Sequence, residues 1–180
     1  MSSQMMRTGI EVIPPGALGA QVRAEILDLC SRAYEEDFAP YLDLLTSATH
    51  VLLRGPDQLI AHAAWIERQL IADGMALKTA YIEAVAVAPE WQRHGFGTQI
   101  MSALPPLLGH FDLAALSPAD EPFYQRLGWE IWEGPLSYLQ GTNQVSTPDE
   151  CVMIYRLPRT PAGLNIGSSL KADWREGDIW

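Results

Sequence analysis

The chain reads as an α+β fold, a mixed central sheet flanked by helices, on three observations. From His50 onward, three apolar, strand-like runs follow one another, separated by the turn pairs Pro56-Asp57 and Asp73-Gly74. A stripe of apolar residues at helical spacing precedes them. A glycine-bearing turn then joins the last of the three strands directly to a second helix. With 180 residues the chain is long enough for one well-buried domain and too short for two ordinary ones. A single domain over 1–180 is therefore expected, with 158–180 as a C-terminal tail.

In chain order, residues 10–13 form an edge strand closed by Pro14, Pro15 and Gly16, where missing N–H groups end sheet pairing. Over 17–34, Val22, Ile26, Leu29, Cys30 and Ala33 fall on one helical stripe, with Arg23, Glu25, Asp28 and Arg32 elsewhere. The acidic segment 35–40 breaks that period and leads into a short helix at 41–45. The three-strand antiparallel meander comes next, and its last strand, ending at Pro89, feeds the turn Gln92-Arg93-His94-Gly95-Phe96-Gly97 and a helix opening at Thr98. Pro105-Pro106 cuts or kinks that helix, because proline cannot continue its hydrogen-bond ladder. Residues 111–117 read as a buried strand, 118–127 as a brief helix with Gly128 as its C-terminal cap, and 129–132 as the start of another strand. The stretch 134–148 is turn-rich, and 151–157 is the last strand. The tail shows little periodicity but carries Trp174 and Trp180.

Composition sets bounds on function. Hydrophobic residues make up 48% and charged residues 19% of the chain, a globular balance. Twelve Lys and Arg against 22 Asp and Glu give a net charge of -10, which disfavours a nucleic-acid partner and attracts polycations. Solubility alone also accounts for such acidity. The two cysteines, Cys30 and Cys151, sit in apolar runs and read as small buried hydrophobes in a reducing compartment. No apolar run approaches a membrane span and the N-terminal segment lacks a signal-peptide core, so a cytoplasmic protein without membrane or metal partners is expected. His50, His62 and His110 sit in apolar contexts and read as structural.

A strand, a glycine turn and a helix in that order point successive backbone N–H groups into one concavity at the positive end of a helix dipole, which suits a pyrophosphate. The string Pro89-x-x-Gln92-x-x-Gly95-x-Gly97 resembles the acetyl-CoA loop of the GCN5-related N-acetyltransferases (GNAT). Phe123-Tyr124-x-x-x-Gly128-Trp129, one strand and helix later, resembles the same family's fourth helix and following strand. The ending Asp173-Trp174-Arg175-Glu176-Gly177-Asp178-Ile179-Trp180, with the runs around 61–71 and 81–87, resembles the aminoglycoside 2'-N-acetyltransferases. Members of that group can carry a degraded form of the glycine loop, whereas this chain has the full one, which strengthens cofactor binding and leaves the acceptor less defined.

The resemblance implies acetyl-CoA as cosubstrate, no metal, a cationic small-molecule acceptor and direct transfer; because relatives are often dimers, a homodimer is also an expectation. It implies that Glu83 is the general base, although a lone Glu on an alternating strand is ordinarily an exposed sheet-face charge. Alternation puts Val85 and Val87 on the Glu83 face, so their implied use is through main-chain N–H groups freed by a bulge, as donors to the thioester and pantetheine. Gln92, Arg93, His94, Gly95, Phe96, Gly97 and Thr98 hold the pyrophosphate, with the Arg93 and His94 side chains optional. Tyr124 protonates the departing thiolate; without the family it is simply a packed helix aromatic. Asp37, Glu83, Ser117, Glu150, Asp178 and the terminal carboxylate of Trp180 surround the acceptor's ammonium groups, the two tail tryptophans providing a means of docking. Alternatives are a GNAT enzyme for another small amine, a polyamine or a peptide N-terminus, and a non-catalytic CoA-binding module.

Overall fold

The structure, a computed structural model, describes residues 7–180; the reading of the N-terminal segment falls, in its first six residues, outside them. The chain forms two compact units: residues up to Ile66 with Glu83–Leu104, and Glu67–Ile82 with Pro105–Trp180.

In the first unit β1 (Gly9–Ile13) pairs antiparallel with β2 (Thr49–Arg54), which pairs antiparallel with β3 (Leu59–Ala72) in a register that sets Leu52 opposite His62. Helix α1 (Ala20–Tyr34) starts three residues later than its apolar stripe suggests, because Ala17 N–H closes a turn onto the Pro14 carbonyl and Gly19 is the N-cap. It ends at Glu35, whose left-handed backbone terminates the helix. Helix α2 (Ala39–Leu44) follows. The core joins Ile26, Leu29 and Cys30 of α1 and Phe38 and Leu42 of the α2 region to Leu52 of β2. The end of β4 (Met75–Val87) and helix α3 (Phe96–Ala103) complete this unit.

In the second unit β3 and β4 meet at Asp73-Gly74, where φ values of 48° and 80° are those of a two-residue hairpin turn. The strand order there is β6 (Glu130–Ile131), β9 (Met153–Arg156), β5 (Leu113–Leu116), β4, β3, β10 (Leu170–Asp173), β7 (Leu136–Gln140), β8 (Asn143–Ser146). Strand β5 (Leu113–Leu116) runs parallel to β4, and β9 (Met153–Arg156) runs antiparallel to both β5 and β6 (Glu130–Ile131). Helix α4 (Glu121–Arg126) is capped by Asp120, whose carboxylate accepts from Phe123 N–H, and Gly128 follows with φ 88°. A three-residue 3-10 turn, Pro105–Leu107, takes the place of a continued helix after α3, as the proline pair requires.

Several expectations need correction. The stretch 134–148 contains a hairpin, β7 (Leu136–Gln140) and β8 (Asn143–Ser146). All four β8 residues are exposed, so that strand has no apolar alternation to read. The tail contains β10 (Leu170–Asp173), antiparallel to β3 and parallel to β7; four residues are too few to show a period. Cys30 is fully buried, but Cys151 is only partly so. His110 is exposed, its ring against Phe111. Trp174 is 50% exposed and cannot anchor the tail by burial. Among the described residues no helix is long and apolar enough to cross a membrane.

Candidate functional site

The glycine turn is built as a backbone cradle. Arg93 and Gly95 both have left-handed backbones, φ 62° and 85°, two residues apart at the mouth of α3. Gly95 is the helix N-cap, so α3 begins at Phe96 rather than Thr98 and Phe96 and Gly97 lie in its first turn. The helix ladder opens with Gln99 N–H on the Gly95 carbonyl, which leaves the N–H groups of Phe96, Gly97 and Thr98 ahead of it at the positive pole. A Cβ on Gly95 would meet no atom within 4 Å, so glycine is needed there for its backbone conformation and not for space. Arg93 takes the same region with a side chain, a conformation costing about 1–2 kcal/mol. Gln92 Nε2 donates to the Val87 carbonyl at 3.2 Å and His94 Nδ1–H to the Gln92 carbonyl at 2.7 Å, tying the turn to the end of β4. Trp91 meets Phe96 edge-on across the turn, with ring centroids 5.9 Å apart. The side chains of Gln92, Arg93 and His94 are exposed.

Strand β4 departs from regularity just before this turn. Ala84 has φ 52°, a left-handed residue inside a strand, as at a bulge. Its carbonyl accepts from His62 Nδ1 at 2.8 Å, and the next carbonyl, of Val85, accepts from Tyr34 Oη–H at 2.8 Å. The irregular residue interrupts the two-residue period between Glu83 and Val85, so alternation does not carry one face across it. Glu83, Val85 and Val87 are all partly buried. In the same unit Tyr34, Phe38 and Tyr41 stack in series with centroids 5.2 and 5.5 Å apart. Exposed Asp37 lies between the first two of these in sequence, and its carboxylate accepts from Ala39 N–H at the start of α2. The first unit also has a surface cavity of about 480 Å³ that includes Arg32 and Arg54 and none of the candidate residues. Each of these arginines is already held by two carboxylates, Arg32 by Asp28 and Glu90, Arg54 by Glu11 and Glu25.

In the second unit Tyr124 is buried on α4, edge-on to Phe123 and Trp129. Burial, and then the Asp120 carboxylate, push its phenol up to about 12, so it stays protonated. Ser117, just after β5, is exposed. Thr147 joins two of the remaining candidates: its carbonyl accepts from Glu150 N–H, and its hydroxyl accepts from Trp180 Nε1–H at 2.8 Å. Trp180 is only 5% exposed. Arg68 of β3 donates to the carbonyls of Ile179 and Asp173, and Arg175 donates to that of Asp178. The last residues are thereby held by side chains of the strands and loops beneath them.

Each unit thus gathers its own set: Asp37, Glu83, Val85, Val87 and the glycine turn in the first, and Ser117, Tyr124, Glu150, Asp178 and Trp180 in the second. Sequence reasoning missed Tyr34, His62, Thr147 and Arg68. The terminal position of Tyr34 on its helix is the one signal that could have marked it.

Comparison with known proteins adds to this geometry. The acetyltransferase (GNAT) domain family matches residues 24–132. An aminoglycoside 2'-N-acetyltransferase of Mycolicibacterium fortuitum is 36% identical over 155 residues, 82% of this chain and 80% of that protein. Among solved structures, the GNAT family N-acetyltransferase YhbS of Escherichia coli, in complex with CoA, is 18% identical with a TM-score of 0.71, over 98% of this chain and 94% of that one. A GCN5-related N-acetyltransferase from Kribbella flavida, 19% identical with a TM-score of 0.59 over 71% of this chain, is much longer, and this chain spans about a third of it, 34%.

Proposed function

Because this chain belongs to the GCN5-related N-acetyltransferase (GNAT) family and is an acetyl-CoA-dependent N-acetyltransferase, we propose that it acetylates the 2'-amine of an aminoglycoside by direct transfer, without a covalent enzyme intermediate. The observation that carries the acceptor is the 36% identity, over 82% of the chain, to a relative named for that reaction. The acidity of the chain, a net charge of -10, suits an acceptor with several ammonium groups. Resistance to such antibiotics follows for a cell that expresses the enzyme.

The chemistry is divided among the residues as follows. Glu83, partly buried, takes a proton from the acceptor's ammonium, directly or through water. The freed amine nitrogen attacks the thioester carbonyl carbon, and main-chain N–H groups at Val85 and Val87 stabilise the oxyanion; a donor of this kind is worth about 2.7–4 kcal/mol in other enzymes. The carbon–sulfur bond then breaks, the leaving thiolate takes the phenolic proton of Tyr124, which burial keeps in place until then, and the extra proton on the new amide nitrogen is lost to solvent, from which the phenol is restored. The N–H groups from Gln92 to Thr98 hold the pyrophosphate of acetyl-CoA, supported by the left-handed pair at Arg93 and Gly95 and the α3 dipole. Asp37, Ser117, Glu150, Asp178 and Trp180 bind the acceptor.

A panel of amines with thiol release as readout tests the reading. Aminoglycosides bearing a 2'-amine are expected to turn over, with the acetyl group found at that nitrogen by NMR. Turnover confined to polyamines or peptide N-termini, or none with every 2'-amino aminoglycoside, refutes the acceptor.

A further inference from the structure

Buried under β4 in the first unit is a pair of histidines that the proposed chemistry does not use. His62 is 0% and His50 2% exposed. His50 Nδ1 lies 3.0 Å from His62 Nε2, and His62 Nδ1 lies 2.8 Å from the Ala84 carbonyl. Burial, followed by the neighbouring His50, pushes the His62 imidazole down to about 3, so the ring is neutral at neutral pH. A carbonyl can only accept, so the single proton of neutral His62 sits on Nδ1. Its Nε2 is then an acceptor, and the proton between the two rings belongs to His50 Nδ1. The result is a one-way chain of donors from His50 through His62 to the main chain of β4.

The bond that this chain ends on matters because of peptide planarity. The Ala84 carbonyl and the Val85 N–H are parts of one trans peptide unit and point in opposite directions, so fixing one aims the other. The Val85 carbonyl and the Ala86 N–H are related in the same way, and that carbonyl is held by Tyr34. The two peptide units flanking Val85, just after the left-handed Ala84, are therefore oriented by side chains from β3 and α1 and not only by strand neighbours.

We propose that His62 and Tyr34 are positioning residues for acetyl transfer, His62 aiming the Val85 N–H and Tyr34 fixing the next peptide unit so that Val85 is held on both sides, with His50 selecting the tautomer that lets His62 do so. This rests on the reading that main-chain N–H groups of this segment receive the thioester oxygen. Neither side chain touches the reacting atoms. Their effect is to keep the bulge from relaxing into regular strand, where the same N–H groups would be spent on the sheet ladder.

Three variants test the proposal. His62→Leu removes the donor, His62→Asn keeps an amide N–H near the Nδ1 position, and Tyr34→Phe removes one hydroxyl from a half-exposed helix end and should fold normally. Losing one aimed oxyanion donor costs about 10²–10³ in kcat elsewhere, and loss of aim alone about tenfold or more. His62→Leu is expected to lower kcat by about tenfold or more with the acetyl-CoA KM within about twofold, His62→Asn to recover most of that loss, and Tyr34→Phe to lower kcat several-fold. Two NMR readouts are independent of any acceptor. Long-range ¹H–¹⁵N spectra of the parent should show His62 neutral and protonated at Nδ1. The Val85 amide should shift when acetyl-CoA is added to the parent and to His62→Asn, and not when it is added to His62→Leu. A His62 protonated at Nε2, equal kcat in the leucine and asparagine variants, or an unchanged Val85 response in His62→Leu overturns the proposal. If the parent turns over no aminoglycoside, the acceptor reading fails, and the acetyl-CoA titration still decides the positioning role.

Discussion

Lowering the pH below neutrality should destabilise this fold through His62. In an unfolded chain the imidazole takes up a proton below about 6.5, whereas in the fold it does so only near 3, because the protonated ring is buried and faces His50. Between those values the unfolded state binds more protons than the native one, so unfolding free energy falls as pH falls. Each pH unit in that window is worth about 1.4 kcal/mol per group. At pH 5 the loss from His62 alone is about 2 kcal/mol, and it grows further toward pH 4. Burial lowers His50 as well, which adds loss of the same sign. Urea denaturation of the parent and of His62→Asn at pH 7, 6 and 5 isolates the effect, since asparagine cannot take up the proton. The parent's midpoint should fall more steeply than the variant's, by the equivalent of about 2 kcal/mol at pH 5. Parallel dependences in the two proteins would refute the buried, neutral histidine.

Other predictions concern single groups. Tyr124→Phe should lower kcat more than it alters either KM, measured by initial rates, and because the phenol is held near 12 the parent's rate should show no ionisation of Tyr124 below about pH 11. Trp180→Ala removes a nearly buried indole and its bond to Thr147, and should raise the aminoglycoside KM with acetyl-CoA binding unchanged; hydrogen exchange should show the tail loosened. Gly95→Ala meets no clash but puts a side chain on a left-handed residue, so a cost of about 1–2 kcal/mol and a raised acetyl-CoA KM are expected from melting and kinetics. Gly134→Ala would bring a Cβ to 1.8 Å from the Ser168 carbonyl oxygen, in the segment leading to β10, and should cost about 3 kcal/mol or more in urea denaturation.

Much of the fold is legible without coordinates because its signals are local. The turn pair Asp73-Gly74, the proline pair after α3 and the Gly128 cap each act within a few residues, and each appears where the sequence puts it. The strands that escape notice, β8 and β10, are short and are defined by partners distant in sequence. The site divides in the same way. Residues in a local motif, from Gln92 to Thr98, can be read directly. Tyr34, His62, Thr147 and Arg68 cannot, because each acts through a bond to an atom at least 22 residues away.

The sequence by itself determined the glycine turn at the mouth of α3, since left-handed turns, proline breaks and helix starts depend on neighbouring residues and are written in residue type. Only the tertiary structure decided how the β4 bulge is held and how the tail is secured. Those depend on where a carbonyl of one element meets a side-chain donor of another, and peptide planarity turns that meeting into the direction of the N–H group beyond it.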